Sequence, residues 1–329
     1  MLRTRVTQLF GIEHPILMGA MGNLGRAGLV AAVSNAGGLG ILASIHFNSG
    51  KELREEIRKT KSLTRKPFGV NITMLPAARP IPNDEFCQAI VDEGVPVCET
   101  AGRAPEQWMG PLKAAGVKVI HKAGTVRHAA TAERLGCAAV YCLGFEAAGH
   151  PLADDVTLLN LLPRMVDTVK IPVVAAGGIA DARQIVAAIA LGAEGVMMAT
   201  RFMMSKECIA HDNVKQRLLQ AQENDTVMIQ RTIKNQSRAL RNQAAEKCLE
   251  LESRGATLEE LIKVIGGEGS RRAVLEGNVE TGIITAGQGI GLIHDLPTCK
   301  EIIDRLVRET EALLKQVGTR WVTTGAAPR

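Results

Sequence analysis

The sequence predicts an α/β protein: a (β/α)8 TIM barrel with a helical insertion domain after strand 8. Three observations carry this expectation. Eight short apolar runs recur along the first two hundred residues, each is followed by a stretch of helical periodicity, and most are apolar on both faces. Strands buried on both faces and separated by helices form parallel sheets, and eight strand-helix units are the number that closes a barrel.

The runs are Pro15 to Met18, Leu39 to Ala43, Phe68 to Thr73, Val95 to Thr100, Val117 to Lys122, Ala138 to Leu143, Ile171 to Ala176 and Gly195 to Ala199. Helical periodicity follows in Arg26 to Ala36, Gly50 to Thr60, Asp84 to Glu93, Pro105 to Ala115, Thr125 to Leu135 and Asp181 to Leu191. After Arg201 the alternation stops, and a stretch rich in Gln, Glu, Arg and Leu up to about Gly282 reads as helices. Thr285 to Gly291 is a glycine-dense turn, and Thr298 to Val317 is an amphipathic helix able to serve as the eighth barrel helix. The expected division is therefore 1–204 for the barrel strands, 205–283 for an insertion covering the active site, and 284–329 for the glycine-rich loop and closing helix.

A chain of 329 residues fits one such barrel with an insertion, and 46% hydrophobic against 22% charged residues gives it a large core. The net charge of +5 is spread thinly and aromatics are only 3%, so neither a basic tail nor stacking platforms for nucleic acid are present. The seven cysteines form no C-x-x-C pair and are odd in number, which is read as reduced thiols in a cytoplasm. The N-terminal MLRTRVTQLFGIEHP has no continuous apolar segment, so neither export nor membrane insertion is expected.

In a barrel of this kind ligands sit at the C-terminal ends of the strands. The strongest local signal is IPVVAAGGIADARQIVAAIALG followed by AEGVMMATRF. A strand entering Gly177-Gly178 and then a helix lets backbone N–H groups approach an anion, with the helix dipole in support. Ala199 and Thr200 end the next strand, completing the phosphate site that barrels build after strands seven and eight; otherwise the glycines only permit a tight turn. The rival dinucleotide signature G-x-G-x-x-G is absent, since Gly287-Gln288-Gly289-Ile290-Gly291 has other spacing and is followed by a short Pro-terminated segment.

Other strand ends carry polar groups. Asn71 in FGVNIT offers a neutral amide to a ring edge or phosphate, or caps a turn. Alternation sends His121 and Lys122 to opposite faces, so one of them reaches the barrel mouth, where a cation would stabilise negative charge. His150 lies in the loop GFEAAGHP, with a side chain suited to proton transfer near neutrality or simply to packing. Arg231, Lys234, Arg238 and Arg241 recur at helical spacing as one basic stripe, solvated or facing an anionic ligand. Met18, Met21, Met197, Met198, Met203 and Met204 gather beside the mouth, adaptable neighbours for a flat ring or plain core.

Taken together, EHPILMGAMGNLGRAGLVAAVSNAGGLG, KPFGVNIT, VKVIHKAGTVRHA, GFEAAGHP, IPVVAAGGIAD, ATRFMMSKE and TAGQGIG resemble the nitronate monooxygenase family, formerly called 2-nitropropane dioxygenases, of FMN-dependent barrels. Through LPAARPIP and RTIKNQSRALRNQ the chain is similar to the family's bacterial NADH:quinone reductases, with flavin-dependent enoyl-acyl-carrier-protein reductases as more distant relatives. The resemblance implies FMN contacts by Ala20, Met21, Asn71, Lys122, Gly149, Gly177, Gly178, Ala199, Thr200 and Gln288, and makes His150 the active-site histidine. Departures fall at Met18-Gly19-Ala20-Met21, where Gln-Gly-Gly-Met is usual, at Asn23 in place of an aromatic, and at Ala199 in place of Gly.

The implied activity is oxidation of alkyl nitronates with O2, or transfer of electrons from NADH or NADPH to a quinone through bound FMN. The partners implied are these small molecules, with no nucleic acid, membrane or metal, and a homodimer is compatible. Alternatives are a flavin-dependent enoyl-thioester reductase and a non-redox barrel binding a phosphate ligand.

Overall fold

The computed structural model describes residues 2–74, 80–151 and 154–321. Eight parallel strands build the core sheet: β1 (Ile16–Met18), β2 (Gly40–Ala43), β3 (Phe68–Met74), β4 (Val97–Gly102), β5 (Lys118–Ala123), β6 (Ala139–Leu143), β7 (Val173–Ala176) and β8 (Gly195–Met198). Each coincides with one of the eight apolar runs, the ends displaced by at most two residues. Their order, β1-β8-β7-β6-β5-β4-β3-β2, runs around a ring. The ring closes between β1 and the residue before β2: Met18 N–H donates to Leu39 O at 2.9 Å, and Leu39 N–H donates to Ile16 O at 3.0 Å.

Alternation along the strands divides the core in two. Leu17, Ile41, Val97, Ile120, Ala139, Val174 and Met197 point inward and fill the barrel. Met18, Leu42, Val70, Cys98, Val119, Val140, Ala175 and Val196 point outward against the helices. Each Leu, Ile or Val removed from water here contributes about 1.5–3 kcal/mol, which is why both faces of the strands are apolar. The helix α1 (Arg5–Phe10), not signalled by periodicity, brings Val6 and Phe10 into the inner cluster and plugs one end of the barrel.

The outer helices are α2 (Ala27–Asn35), α3 (Gly50–Leu63), α4 (Asn83–Asp92), α5 (Glu106–Ala114), α6 (Val126–Leu135), α7 (Leu158–Val166) and α8 (Ala182–Ala190). Thr125 caps α6 through the His128 N–H, and Asp181 with Gln184 makes a capping box for α8. A four-residue helix, α9 (Thr200–Met203), follows β8.

Beyond α9 the structure departs from an all-helical insertion. The helices α10 (Asp212–Leu219), α11 (Gln243–Ser253), α12 (Leu258–Ile265) and α13 (Gly267–Glu276) are present, but between α10 and α11 lies an antiparallel hairpin of β9 (Thr226–Ile229) and β10 (Ser237–Leu240). The basic residues expected on one helical stripe therefore separate. Arg231 pairs with Asp155 at 3.0 Å, Arg241 pairs with Glu246, Lys234 sits in the hairpin turn, and Arg238 is buried in β10. Gln230 and Lys234 take φ of 64° and 54°, a left-handed backbone that a helix does not accommodate. Ile229, Ala239, Ala245, Cys248, Leu251 and Leu261 form a small core of this region's own.

The chain returns through a 3-10 turn at Gln288–Leu292 to the last helix, α14 (Cys299–Trp321), which packs between α8 and α2 in the place of an eighth barrel helix. Arg201, almost fully buried, fixes this return by donating to Asp295 Oδ1, Asp295 O and Met204 O, each at 2.8 Å. All seven cysteines are free and buried. Among the described residues no helix is long and apolar enough to cross a membrane. Most of the LPAARPIP segment, residues 75–79, lies outside the described residues.

Candidate active site

A cavity of about 400 Å3 opens at the C-terminal ends of the strands. Ala20, Met21, Asn71, Lys122, Gly149, His150, Gly177, Gly178, Ala199 and Thr200, ten residues spread over 181 positions of sequence from 20 to 200, all line it. Gln288 does not: its N–H donates to Glu146 O at 3.0 Å, while its neighbours Gly287 and Gly289 supply the cavity wall. Of the six methionines singled out, Met21, Met197, Met198 and Met203 line the cavity, and Met18 and Met204 are outer core.

The turn after β7 is shaped to receive an anion. Gly177 and Gly178 have φ of 108° and 72°, backbone that side chains with a Cβ rarely adopt. The N–H groups of Gly178 and Ile179 donate to no acceptor among the described residues. The neighbouring helix is less available than its sequence suggests. Asp181 accepts from Arg183 N–H and Gln184 N–H, and the Gln184 amide accepts from Ala180 N–H at 2.7 Å, so the second and third donors of α8 are taken and a carboxylate sits at its start. The grip therefore belongs to the turn rather than to the helix dipole. Across from it, Thr200 Oγ1 accepts from Gly287 N–H at 3.1 Å, tying the end of β8 to the TAGQGIG loop.

That loop needs glycine for close approach. A Cβ on Gly289 would lie 2.3 Å from Gly178 O, and one on Gly287 would lie 3.0 Å from Glu146 O. The glycine pattern that fails as a dinucleotide signature thus lets one loop press against the β7 turn.

Of the pair left open by alternation, Lys122 enters the cavity, whereas His121 is buried on the outer side with Nδ1 2.9 Å from Thr100 Oγ1. Burial lowers the His121 pKa to about 4, with the nearby His128 and Lys122 charges adding to the effect. Lys122 Nζ lies 2.8 Å from Glu99 Oε1, a carboxylate that is completely buried in the barrel. Asn71 Nδ2 donates to the same oxygen at 3.0 Å, and Thr73 Oγ1 donates to Asn71 Oδ1 at 2.6 Å. Glu99 was not signalled, although a carboxylate inside the apolar run VPVCETA is an anomaly that sequence reading could have used.

His150 has no hydrogen-bond partner among the described residues, and burial lowers its pKa. Burial thus favours the uncharged imidazole, which is free to take a proton from, or donate a hydrogen bond to, a bound molecule. Its loop is held from behind by the hairpin. Gly149 N–H donates to Arg238 O at 3.1 Å and Arg238 N–H donates to Gly149 O at 2.6 Å. The Arg238 guanidinium donates to Phe145 O at 3.2 Å and 3.0 Å and to Thr226 Oγ1 at 3.1 Å, and lies 4.4 Å from the Phe145 ring centroid. A second histidine, His128 at the start of α6, also lines the cavity, as do Ser270 and Val274 of α13, none of them signalled in advance. No metal-holding cluster of His, Cys, Asp and Glu occurs among the described residues.

The residues present suit FMN: an uncommitted backbone turn for the phosphate, a cation and an amide at the barrel floor for a ring edge, and flexible apolar walls. Comparison with known proteins agrees. A Rhodococcus jostii protein named (3aS,4S,5R,7aS)-5-hydroxy-7a-methyl-1-oxo-octahydro-1H-indene-4-carboxyl-CoA dehydrogenase is 35% identical, over 96% of this chain and 98% of its own. A probable nitronate monooxygenase of Staphylococcus aureus is 33% identical over 76% of this chain and 81% of its own. The solved structure of FabK from Thermotoga maritima superposes with a TM-score of 0.90 at 39% identity, covering 96% of this chain and 99% of that one. Residues 3–309 match the family described as nitronate monooxygenase, so the chain belongs to the nitronate monooxygenase family and is an FMN-dependent oxidoreductase.

Proposed function

We propose that the chain oxidises alkyl nitronates with O2 through FMN bound in the strand-end cavity, with His150 as the proton-handling residue. One observation carries this reading: His150 lines the same cavity as the anion-ready Gly177-Gly178 turn and the Lys122 cation, with no hydrogen-bond partner among the described residues and with burial lowering its pKa. Bound FMN supplies the two-electron chemistry.

In this reading Gly178 and Ile179 N–H hold the phosphate, with Ala199 and Thr200 alongside, and Asn71 and Lys122 contact the ring edge near Ala20 and Met21. His150 hydrogen-bonds a nitronate oxygen, or removes the proton from the carbon bearing the nitro group when a neutral nitroalkane enters. Met21, Met197 and Met203, with Val274 and Ile284 from beyond β8, exclude water around the alkyl portion. Residues 205–283, which contribute Ser270, Val274 and Ile283, act as the cover of the site.

A second reading is favoured by a specific observation. The relatives covering nearly the whole chain include one named for a carboxyl-CoA substrate, and the cavity reaches beyond the barrel to α13, room for a longer donor or acceptor than a nitroalkane. That reading is reduction of a conjugated thioester or a quinone with NADH or NADPH as donor.

Anaerobic stopped-flow absorbance separates the two. Rapid bleaching of the yellow enzyme by an alkyl nitronate and slow bleaching by NADH and NADPH supports the first; the reverse order refutes it. His150→Asn retains FMN and loses nitronate turnover about 100-fold, the scale of general acid-base catalysis. Unchanged turnover removes His150 from the mechanism.

A further inference from the structure

The two polar side chains that meet the cavity floor, Asn71 and Lys122, do not stand alone. Both donate to a single atom beneath the floor, Glu99 Oε1, at 3.0 Å and 2.8 Å. Register explains why. Asn71 is directly beside Glu99 in the β3–β4 ladder, Lys122 is beside Tyr141 in the β5–β6 ladder, and alternation from inward-facing Val97, Ile120 and Ala139 turns Glu99, Lys122 and Tyr141 to the barrel interior. The result is one polar layer between the apolar plug and the cavity.

That layer is incompletely satisfied. Glu99 and Tyr141 are fully buried, and neither Glu99 Oε2 nor the Tyr141 hydroxyl has a partner at full hydrogen-bond geometry among the described residues, although the two groups are close enough for the carboxylate, after burial, to push the phenol pKa up. A buried carboxylate with one unpaired oxygen is costly, and an apolar residue at Glu99 would fill the barrel more stably. Its retention is explained if the negative charge itself does something. Lys122 is the only nearby charge it pairs with among the described ion pairs, and Lys122 is the cation that faces the cavity.

We propose that Glu99 is the internal counter-charge that sets how readily the bound flavin takes up electrons, acting through Lys122 and Asn71. It is a positioning residue, beneath the cavity floor, and the inference rests on FMN occupying this cavity. Reduction of the ring by two electrons and one proton leaves it with one added negative charge. An ammonium compensated by Glu99 stabilises that charge less than a bare one, so the carboxylate holds the flavin potential down. A low potential favours passing electrons onward to an acceptor over accepting them from a weak donor. Lys122 is the one cation paired with this carboxylate among the described ion pairs, and in the buried floor of the barrel that pairing is little screened by solvent.

The test is the midpoint potential of purified, FMN-loaded wild type, Glu99→Gln and Lys122→Met, each equilibrated with dithionite and a reference dye. Glu99→Gln frees the Lys122 charge and raises the potential; Lys122→Met leaves Glu99 uncompensated and lowers it. Each shift is about tenfold or more in the oxidised-to-reduced equilibrium, about 30 mV for a two-electron couple. A purely structural role would weaken FMN retention in both variants without opposite shifts, and equal potentials in all three overturn the inference. If Glu99→Gln does not accumulate as folded protein, Glu99→Asp decides, because the shorter carboxylate withdraws from Lys122 Nζ: a raised potential sustains the inference and an unchanged or lowered one refutes it. Wild-type protein that cannot be loaded with FMN overturns the flavin reading and this inference with it, whereas loaded protein with unshifted potentials overturns the inference alone.

Discussion

Replacing Arg238 by Met removes the clamp behind the histidine loop while keeping the length and apolar stem of the side chain. In the structure the buried guanidinium makes two hydrogen bonds to Phe145 O, one to Thr226 Oγ1, and a cation-π contact with the Phe145 ring. Hydrogen bonds to a charged group contribute about 1.5–3 kcal/mol each and a desolvated cation-π contact up to about 2 kcal/mol. Against this stands the cost of burying the charge, several kcal/mol, which also lowers the Arg238 pKa. Met abolishes that cost and fills the space, but leaves Phe145 O without its donors, a penalty of about 1–3 kcal/mol. The net loss worked from these opposing effects is about 2 kcal/mol, a fall in Tm of roughly 3 °C for a chain of 329 residues.

The larger consequence is local. The backbone bridge between Gly149 and Arg238 survives the substitution, but Phe145 and the segment to His150 lose their anchor. A displacement of about 1 Å at a reacting group costs on the order of 100-fold in rate. The expected result is therefore Arg238→Met enzyme with full FMN content, a Tm lowered by about 3 °C, and kcat reduced by about 10- to 100-fold with little change in FMN affinity. Differential scanning fluorimetry, flavin absorbance and steady-state turnover measure the three. Wild-type kcat with a lowered Tm would refute the link from the hairpin to His150, and a Tm within about 1 °C of wild type would refute the energetics.

Two further outcomes are expected. Gly289→Ala places a methyl group 2.3 Å from Gly178 O, which is backbone and yields only by moving the phosphate turn; overpacking of about 1–3 kcal/mol weakens FMN binding about 5- to 100-fold in a fluorescence titration, and unchanged affinity would show that the turn does not hold FMN. His121, with its pKa lowered from 6.5 to about 4 by burial, is neutral when folded and takes up a proton more readily when unfolded. Its contribution to stability is full above pH 6.5 and is lost as pH falls toward 4, on the order of 3 kcal/mol. Urea midpoints at pH 7 and pH 4.5 should drop less for His121→Gln than for wild type, and equal drops would assign the acid sensitivity to other groups.

How far the sequence reaches differs from element to element. The eight strands are legible because each is a local run whose apolar faces need no knowledge of the partner strand. Gly177, Gly178 and Thr200 are legible because a strand, a turn requiring positive φ and a strand end are local features. The choice between His121 and Lys122 is half legible: alternation says that they diverge, while the barrel's handedness and twist decide which faces inward. The hairpin at β9 and β10 is misread because Arg231, Lys234, Arg238 and Arg241 imitate helical spacing, and its true conformation is stabilised by a distant partner, Gly149, 89 positions away from residue 238.

The sequence by itself determines the barrel, the anion-ready turn and the candidate histidine, since periodicity, turn chemistry and residue type act within a few residues. Whereas the Asp181–Gln184 capping box of α8 is local, tertiary structure alone decides that the Gln288 N–H is taken by Glu146 O and that Glu99 lies under both Asn71 and Lys122. These depend on which strands and loops become neighbours in the folded barrel. Charge and hydrogen bonding act through space over a few ångströms, and only the side-by-side pairing and register of β3, β4, β5 and β6 bring residues 71, 99, 122 and 141 within that range.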